Sequence, residues 1–595
     1  MSHGTAASPR LTLRNALLVA GMCALMAGLG HASFVALRVF AMHKFSWATR
    51  DIIWMAPLSY AIFIIPATLL VFALNRLAPR IFSARIVLTV PLALAVFGML
   101  LLVRVIHPLA LLAFSLGVAL QLSSWLVASL PASLVLARRI VVTLLVGVLA
   151  ASLLIRGVPI IEESRAIARA DPLPASAPNV LFIILDTVRA SSMGIYGYAR
   201  NNTPQLKRFA ADGALFEWAI APASWTLPSH ASMFTGLDAR AAGAGWKRSL
   251  ERSATTIAEV LAEHGFVAAG FVANPHFTTW ETGLAQGFHR WDDFDSSPQE
   301  TFWASSLAQT TVVRDLVNAE SWAARWTAVR RFDLRVQPEP EHERRSGAAI
   351  VDRFLKWQEL LDSRRFFAFL NFYDAHTPYV SPPGWAHLYP TAPTGRDTYD
   401  SAIGYMDAEL GRLFEALQAR GILDQTIVIV SSDHGEQFGE HNLSLHGNSL
   451  YLNTIHVPLV IRYPRAVPAG TTVKTVVSLE RIPATIMDLT AIERTPFVGA
   501  SLRRSWDDVI AEGTTHAHSW IEKHPWGRPN EPATKGALTS VVDSSWHWIR
   551  NGDGGEELYR YREDAAEAID RAPSSELGGV RAALRAAAQR QQLLR

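Results

Sequence analysis

The sequence predicts an α/β protein anchored in a membrane: an N-terminal bundle of about five transmembrane helices followed by a large α/β domain. Three observations carry that expectation. Half of the 595 residues are apolar (50%), and the excess is concentrated in the first 157. Long apolar runs there alternate with short basic connections. Beyond residue 178, short continuous apolar runs end on acids and histidines, the pattern of central parallel strands whose carboxyl ends carry a site.

Each apolar run is measured against the roughly 20 residues that cross a bilayer as a helix. The expected spans are Ala16 to Leu37, Ile52 to Leu74, Ile86 to Ile106, Leu109 to Leu130 and Leu136 to Ile155, the last crowded at its start by Arg138 and Arg139. Consecutive runs with so few charges have no soluble partner to bury against. A cleaved signal peptide would not be followed by further spans.

Charge placement gives an orientation. With the N-terminus inside, the inner side carries Arg10, Arg14, Arg76, Arg80, Arg85, Arg138 and Arg139, and the outer side Arg38, Lys44, Arg50, Arg104 and Arg156. This bias follows the positive-inside rule and, with five spans, puts the rest of the chain outside the cytoplasm. The expected location is a bacterial-type inner or plasma membrane, multi-pass, with a periplasmic or extracellular domain. The first 157 residues carry twelve Lys and Arg against Asp51, a net of +11 in a chain of +3, which leaves −8 for the remainder. An acidic outer domain excludes nucleic acid as a partner and requires local cations to hold an anionic substrate. The single Cys23 lies in the first span, so the outer domain has neither disulfide nor thiol.

The expected domains are 1–157, the membrane region; 158–178, a linker ending in Asp171-Pro172-Leu173-Pro174-Ala175-Ser176-Ala177-Pro178 and reading as a semi-extended spacer; 179–490, a catalytic core with a helical insert at about 299–345; and 491–595, a C-terminal subdomain. Within the core, Val180 to Leu185, Phe366 to Phe372 and Thr426 to Val430 read as buried strands. They end at Asp186, near Asp374-Ala375-His376, and at Ser431-Ser432-Asp433-His434. Ligands of open α/β sheets bind beyond such strand ends, so these residues converge.

A helix completes the place. Pro228 suits a first helical turn, and Ser229 to Gly236 reads as a helix with Thr226 just ahead of it, where free N–H groups favour an anion. Taken alone, a threonine before proline is a helix cap. Beside Asp186, Asp433 and His434 it belongs to a set of three oxygen ligands and one nitrogen, suited to a single divalent ion: Mg²⁺, Mn²⁺, Ca²⁺ or Zn²⁺. Such an ion lowers the hydroxyl pKa and neutralises charge developing on an ester.

The motifs, in order, are Leu185-Asp186-Thr187-Val188-Arg189; Thr226-Leu227-Pro228-Ser229-His230-Ala231-Ser232-Met233-Phe234-Thr235-Gly236; the D-A-H-T-P-Y run from Asp374; S-S-D-H-G-E from Ser431; His446-Gly447; Val457-Pro458-Leu459; and Gly555-Glu556-Glu557-Leu558-Tyr559 followed by Asp564. Together they resemble the sulfatase family of the alkaline phosphatase superfamily, over about 400 residues. The resemblance implies a sulfatase/alkaline-phosphatase-like α/β sandwich with a small C-terminal sheet. It implies Asp186, Asp433 and His434 as metal ligands and Thr226 as a nucleophile that also touches the metal. His230 stands where sulfatases support the nucleophile with arginine, His376 matches the histidine that contacts the bound ester, and His446 falls near a lysine or histidine position. Asn274 is expected to line the pocket, and Glu436 and Glu440 to be surface or supporting acids.

Three departures from the family pattern bear on chemistry. Sulfatases carry cysteine or serine, oxidised to formylglycine, where this chain has Thr226. Their second aspartate is here Thr187, and their lysine-and-histidine segment has no counterpart around Gly243 to Leu250. These departures point to an unmodified hydroxyl nucleophile acting on a phosphate ester or phosphodiester. The membrane plan is similar to lipoteichoic acid synthases and phosphoethanolamine transferases and implies partners in the bilayer: an anionic ester of a lipid or an envelope glycan. The alternatives are a sulfuric ester hydrolase and a catalytically silent membrane-anchored binding protein. The segment Gln299 to Arg345, with Trp303, Trp322, Trp326, Arg330 and Arg331, reads either as a lid or membrane-surface helix, or as an amphipathic insert packed on the domain.

Overall fold

The structure, a computed structural model, describes residues 11–170, 177–319, 344–379 and 395–593 apart from 494, 498 and 508–515, with scattered residues between 321 and 334 and between 382 and 385. Trp322, Trp326, Arg330 and Arg331 lie outside the described residues. The chain divides into two compact units, Met1–Ile160 with Phe294–Glu343, and Ile161–Asp293 with Arg344–Arg595.

The first unit is helical: α1 (Leu13–Ala36), α2 (Ile52–Leu77), α3 (Ala84–Leu100), α4 (Pro108–Ala128) and α5 (Leu130–Arg169). Four helices are long and apolar enough to cross a membrane, Leu13–Ala41, Ile52–Leu77, Pro108–Ala128 and Leu130–Arg169. α3 has 17 residues and stops six short of the expected Ile106. Pro108 opens α4 with His107 as its N-cap in an extended conformation, and the residue before a proline resists the helix. Small residues bring α1, α2 and α3 together, with Ala16, Ala20, Ala24 and Ala27 buried. The insert contributes two helices to this unit, Pro298–Trp303 and Thr311–Val317. The first docks on α2, where Ser59 Oγ donates to Phe302 O at 2.6 Å and Tyr60 Oη lies 2.9 Å from Ser306 Oγ.

Residues 157 to 169, expected as part of an extended spacer, are instead the C-terminal part of the 40-residue α5. Helix formers such as Glu162, Glu163, Arg165 and Ala166 carry the helix past the apolar run. The buried Glu163 then fixes its end, accepting from Arg290 Nε and Nη2 and from Trp357 Nε1, all at 2.7 Å.

The second unit is built on strands β1 (Asn179–Leu185), β2 (Ala214–Ile220), β3 (Val267–Val272), β4 (Arg290–Asp292), β5 (Phe366–Phe372), β6 (Thr426–Ser431), β7 (Gln437–Phe438), β8 (Ser444–Leu445), β9 (His456–Val457), β10 (Leu459–Arg462), β11 (Thr471–Ser478), β12 (Ala517–Ile521), β13 (Leu538–Val542), β14 (His547–Arg550) and β15 (Glu556–Tyr559). The main sheet runs β11-β2-β10-β6-β1-β5-β3-β4, with β9 beside β2. β6, β1, β5 and β3 are mutually parallel, so their carboxyl ends lie along one edge. The small C-terminal sheet is the antiparallel β12-β13-β14-β15.

Helices cover both faces, as a parallel sheet of continuous apolar strands requires. α6 (Thr226–Thr235), α7 (Gly347–Gln358) and α8 (Gly395–Ala419) are the three that matter here. Alternate residues of β1 sort by face. Leu181, Ile183 and Leu185 join the core with Ile350, Phe354 and Trp357 of α7 and Met406 and Leu410 of α8. Phe182 points the other way, to Phe234 of α6 and Phe369, and those two rings meet edge to face at 4.9 Å. Phe234 thereby seats α6 on the sheet. Phe234→Ala is expected to cost about 3–5 kcal/mol and to lower the thermal unfolding midpoint of the detergent-solubilised protein by several degrees; an unchanged midpoint would count against this packing account.

Candidate active site

Asp186 is the first residue beyond β1, and Asp433 and His434 follow β6 on the neighbouring strand. All three are fully buried, and one ligand atom from each lies within 4.8 Å of the others. Asp186 Oδ2 accepts from Asn274 Nδ2 at 2.9 Å and Asn371 Nδ2 at 3.4 Å. Asp433 Oδ1 accepts from the Thr187 and His434 amides at 3.2 and 2.9 Å. Their remaining oxygens, Asp186 Oδ1 and Asp433 Oδ2, are buried with no hydrogen-bond donor. An ionised carboxylate oxygen is costly in that state. Burial, and for Asp186 also the charge of Asp433, raise both carboxyls above the usual carboxylate range.

His434 supplies the complement. Its Nδ1 lies 3.0 Å from the Gly435 carbonyl, which only accepts, so Nδ1 carries the proton and Nε2 presents its lone pair. Nε2 lies 3.3 Å from Asp433 Oδ2. Burial, with His446 beside it, holds this histidine well below its ordinary value and therefore neutral. Two orphaned carboxylate oxygens and one imidazole lone pair fit a divalent cation.

Thr187 shows how the site departs from a two-aspartate arrangement. Its backbone is left-handed, φ 64°, an uncommon state for a β-branched residue. Its hydroxyl turns back to Asp186 O at 2.7 Å while its N–H serves Asp433. Thr187 Oγ1 is thus engaged with the backbone, and the polar groups beside Asp186 are two neutral amides. Asn274, expected at the pocket, is one of them; Asn371 was missed, although a lone polar residue near the end of Phe366-Phe367-Ala368-Phe369-Leu370-Asn371-Phe372 is a legible signal.

Thr226 is the first residue of α6 rather than a cap ahead of it. Trp225 takes the N-cap position with extended backbone and no side-chain hydrogen bond to the helix. The first turn's N–H groups therefore receive no side-chain cap, which favours an anion at that end. Thr226 Oγ1 lies 3.2 Å from His434 Nε2. One turn on, Ser229 Oγ donates to Asp433 O at 2.6 Å, tying the helix to the carboxyl end of β6. His230 is fully buried: its Nδ1 lies 2.8 Å from Thr226 O and 3.6 Å from Asp433 Oδ2. Burial lowers its pKa, against the pull of Asp433.

His376 and His446 close the ring of imidazoles. The His446 ring is 4.3 Å from that of His434 and 5.0 Å from that of His376, which stacks on Tyr373 at 4.3 Å. Burial and the neighbouring His446 hold His376 well below its ordinary value. Its Nδ1 is 2.7 Å from Thr377 O, and His446 Nδ1 is 3.1 Å from Glu436 Oε1. Glu436 is buried and supports His446, while Glu440 pairs with Arg189 at 2.8 Å. In all four histidines Nδ1 is spent on an acceptor, leaving Nε2 as the working nitrogen.

An aromatic wall stands beside Thr226. The Trp225 ring lies 3.9 Å from Trp246 and 5.2 Å from His446. Gly447, at φ 75°, lets these rings close in, since a Cβ there would lie 2.7 Å from both Trp225 and Trp246. In the segment Gly243 to Leu250, Trp246 joins this wall and Lys247 Nζ sits 4.8 Å over Trp526.

Parallel strands with acids and an uncapped helix at their carboxyl edge form an α/β site suited to a cation and an anionic group. The chain belongs to the sulfatase family, whose model, described as Sulfatase, matches residues 178–492. It is similar to human Arylsulfatase A, 24% identical over 329 residues covering 52% of this chain and 63% of that protein, and to a Sulfatase of Formosa agariphila, 23% identical over 446 residues covering 66% and 83%. The chain thus spans less than two thirds of Arylsulfatase A. Among solved structures, the Phosphonate Monoester Hydrolase of Agrobacterium radiobacter superposes with a TM-score of 0.54 at 19% identity, covering 70% of this chain and 96% of that one. The corresponding enzyme of Silicibacter pomeroyi gives 0.51 at 20% identity, covering 70% and 95%. At these identities the likeness concerns the fold.

Proposed function

We propose that this sulfatase-family enzyme uses the unmodified hydroxyl of Thr226 to attack a phosphate ester or phosphodiester, the substrate being a lipid or an envelope glycan on the outer side of the membrane. The observation that carries the reading is Thr226 Oγ1 at 3.2 Å from the neutral His434 Nε2, at the uncapped end of α6. The sole cysteine, Cys23, is buried in α1 and is no candidate for formylglycine. Asp186, Asp433 and His434 are the residues that would hold one divalent cation, of Mn, Mg, Ca or Zn, with Thr226 touching it. Bound there, the cation supplies Lewis-acid stabilisation of the ester oxygens and acidifies the hydroxyl.

The protein's own groups then divide the work. The α6 N–H groups face charge developing on the transferred group, and His230 holds the Thr226 carbonyl so that the hydroxyl keeps its aim. His376, neutral with Nδ1 on the Thr377 carbonyl, would take up the Thr226 hydroxyl proton at Nε2, and His446, with Nδ1 turned to Glu436, would bring a proton on Nε2 to the leaving oxygen as general acid. A phosphothreonine forms as the ester bond breaks, then passes its phosphoryl group to water or to an acceptor hydroxyl. The arginine placement supports an outward-facing catalytic unit. A second reading, sulfate ester hydrolysis, is favoured by membership of the sulfatase family and by relatives named as sulfatases.

Turnover of bis-p-nitrophenyl phosphate against p-nitrophenyl sulfate separates the two. The expected preference for the phosphodiester is at least about tenfold in kcat/KM, a barrier difference of ~1.4 kcal/mol. Faster sulfate turnover would establish the second reading, and inactivity on both with no metal bound would leave a binding protein.

Metal loading should depend on pH in a defined direction. The raised carboxyls hold their protons to higher pH than ordinary carboxyls in the metal-free protein, a stabilisation present at low pH and lost as pH rises through their folded values. The metal-free protein should therefore melt at lower temperature as pH rises through those raised values, and the gain in Tm on adding Mn²⁺ should grow over the same range. A Mn²⁺-induced shift that is flat from pH 5 to 8 would contradict the ligand assignment.

A further inference from the structure

The helical unit has a cavity of its own, lined by none of the residues of the catalytic constellation. It opens at one end of the bundle, between the end of α1 with its π-helical turn Leu37–Ala41, the chain leading into α2, the turn after α3, and the insert helix Pro298–Trp303. The packing of α1, α2 and α3 brings these termini together. It is also the end at which Arg156 of α5 pairs with Asp51 at 2.8 Å. Apolar helices stop here, so this is the depth of lipid headgroups.

The lining is built for an anion. Arg38 and Arg104 both contribute, against a single acid, Glu300. With His31 neutral the lining carries one net positive charge. Arg38 is held in place by donation from Nη2 to Phe45 O at 2.6 Å. Burial, together with the like charge of Arg38, pushes the Arg104 guanidinium down, which is the penalty an anion would relieve. His31 is 6% exposed, and its Nδ1 has no hydrogen-bond partner among the described residues. A buried polar atom left in that state is costly unless something else satisfies it. The insert closes the cavity with Trp303 and Gln309, whose Nε2 donates to Trp303 O at 2.8 Å. Its seat is fixed by Ser59 Oγ to Ser305 Oγ at 2.7 Å and Ser306 Oγ to Gly98 O at 2.5 Å. The cavity measures about 60 Å³, several times the space of one water and suited to a single oxyanion rather than to a whole lipid.

We propose that this cavity binds the phosphate of an anionic membrane phospholipid, with Arg38 and Arg104 supplying charge, His31 part of the polar lining, and the acyl chains left outside along the helices. The lining shares no residue with the proposed catalytic set, so its occupant is assigned as a resident lipid and not the ester under attack.

The test uses the full chain, delipidated in a neutral detergent, titrated with dioctanoyl phosphatidylglycerol, dioctanoyl phosphatidylcholine or inorganic phosphate and read by thermal shift and native mass spectrometry. Saturable binding of phosphatidylglycerol is expected, weakened at least about tenfold in Arg104→Gln and in His31→Phe, and retained in Arg104→Lys and in Arg76→Gln, which alters an arginine outside the lining. Variants enter the comparison only if their melting without lipid matches the parent, and His31→Phe keeps the test decisive where Arg104→Gln does not fold. Phosphatidylglycerol binding in the folded ones of Arg104→Gln and His31→Phe that equals the parent's would overturn the proposal, as would the absence of saturable binding. Inorganic phosphate bound as tightly as the lipid, with the same dependence on Arg104, would assign the cavity to a soluble anion and overturn the lipid assignment.

Discussion

Thr226→Ala should lower kcat/KM on the preferred ester by at least ~10⁴-fold, the scale on which enzymes lose activity when a nucleophile is removed. The variant should fold normally, because alanine is at least as good a helix former and Oγ1 makes only the 3.2 Å contact with His434. Thr226→Ser restores the hydroxyl without the methyl and should recover much of the lost rate. This pair separates the nucleophile from a mere cap. An alanine variant with activity within tenfold of the parent would remove Thr226 from the mechanism, whereas loss in both variants with a depressed Tm would indicate a structural role. Rapid quenching of the parent should trap phosphate on the segment holding Thr226.

Asp433→Asn should have the second largest effect, acting through the metal. Asp433 Oδ2 is buried without a donor, 3.3 Å from His434 Nε2 and 3.6 Å from His230 Nδ1. Replacing the carboxylate with an amide removes one of the site's two formal charges and puts either a weak ligand or an N–H toward the cation. The loss of metal affinity should exceed the ~10–100-fold that outer partners of a ligand typically cost. Activity should fall in parallel and recover partly at high metal concentration. Metal content measured after dialysis decides it: full retention of one equivalent in Asp433→Asn would exclude Asp433 as a ligand.

The strand ends were the most legible part of the sequence. Phe366 to Phe372 is bounded as the structure has it, and the β1 and β6 runs differ by one residue, because uninterrupted apolar runs of this length have no other buried home. Asp186, Asp433 and His434 follow from that topology, since parallel neighbours place their next residues side by side. The helix that holds Thr226 begins three residues before the expected Ser229, as proline at the third position of a helix is as acceptable as proline at the first and periodicity does not distinguish them. Helix termini in the bundle were less legible. An apolar run does not reveal that α3 ends at Leu100, nor that α5 continues to a buried Glu163 paired bidentately with Arg290. Asn371 and the Trp225–Trp246 wall entered only with the structure, since their partners lie elsewhere in the chain. Glu436 was legible as a supporting acid, but its partner, His446 Nδ1, was not.

The two asparagines beside Asp186 have an electrostatic consequence of their own. With Thr187 committed to the backbone, and Asn274 and Asn371 serving as neutral donors, the ligand pocket holds two carboxylates and a neutral imidazole. A dication would balance that set to zero, whereas a third carboxylate would leave it at minus one. An incoming phosphate monoester, itself a dianion, would then meet a neutral centre ringed by N–H dipoles and would not have to approach against residual negative charge. Exchanging an acid for a hydroxyl at residue 187 thus widens the range of anions the centre can admit, without adding a single arginine.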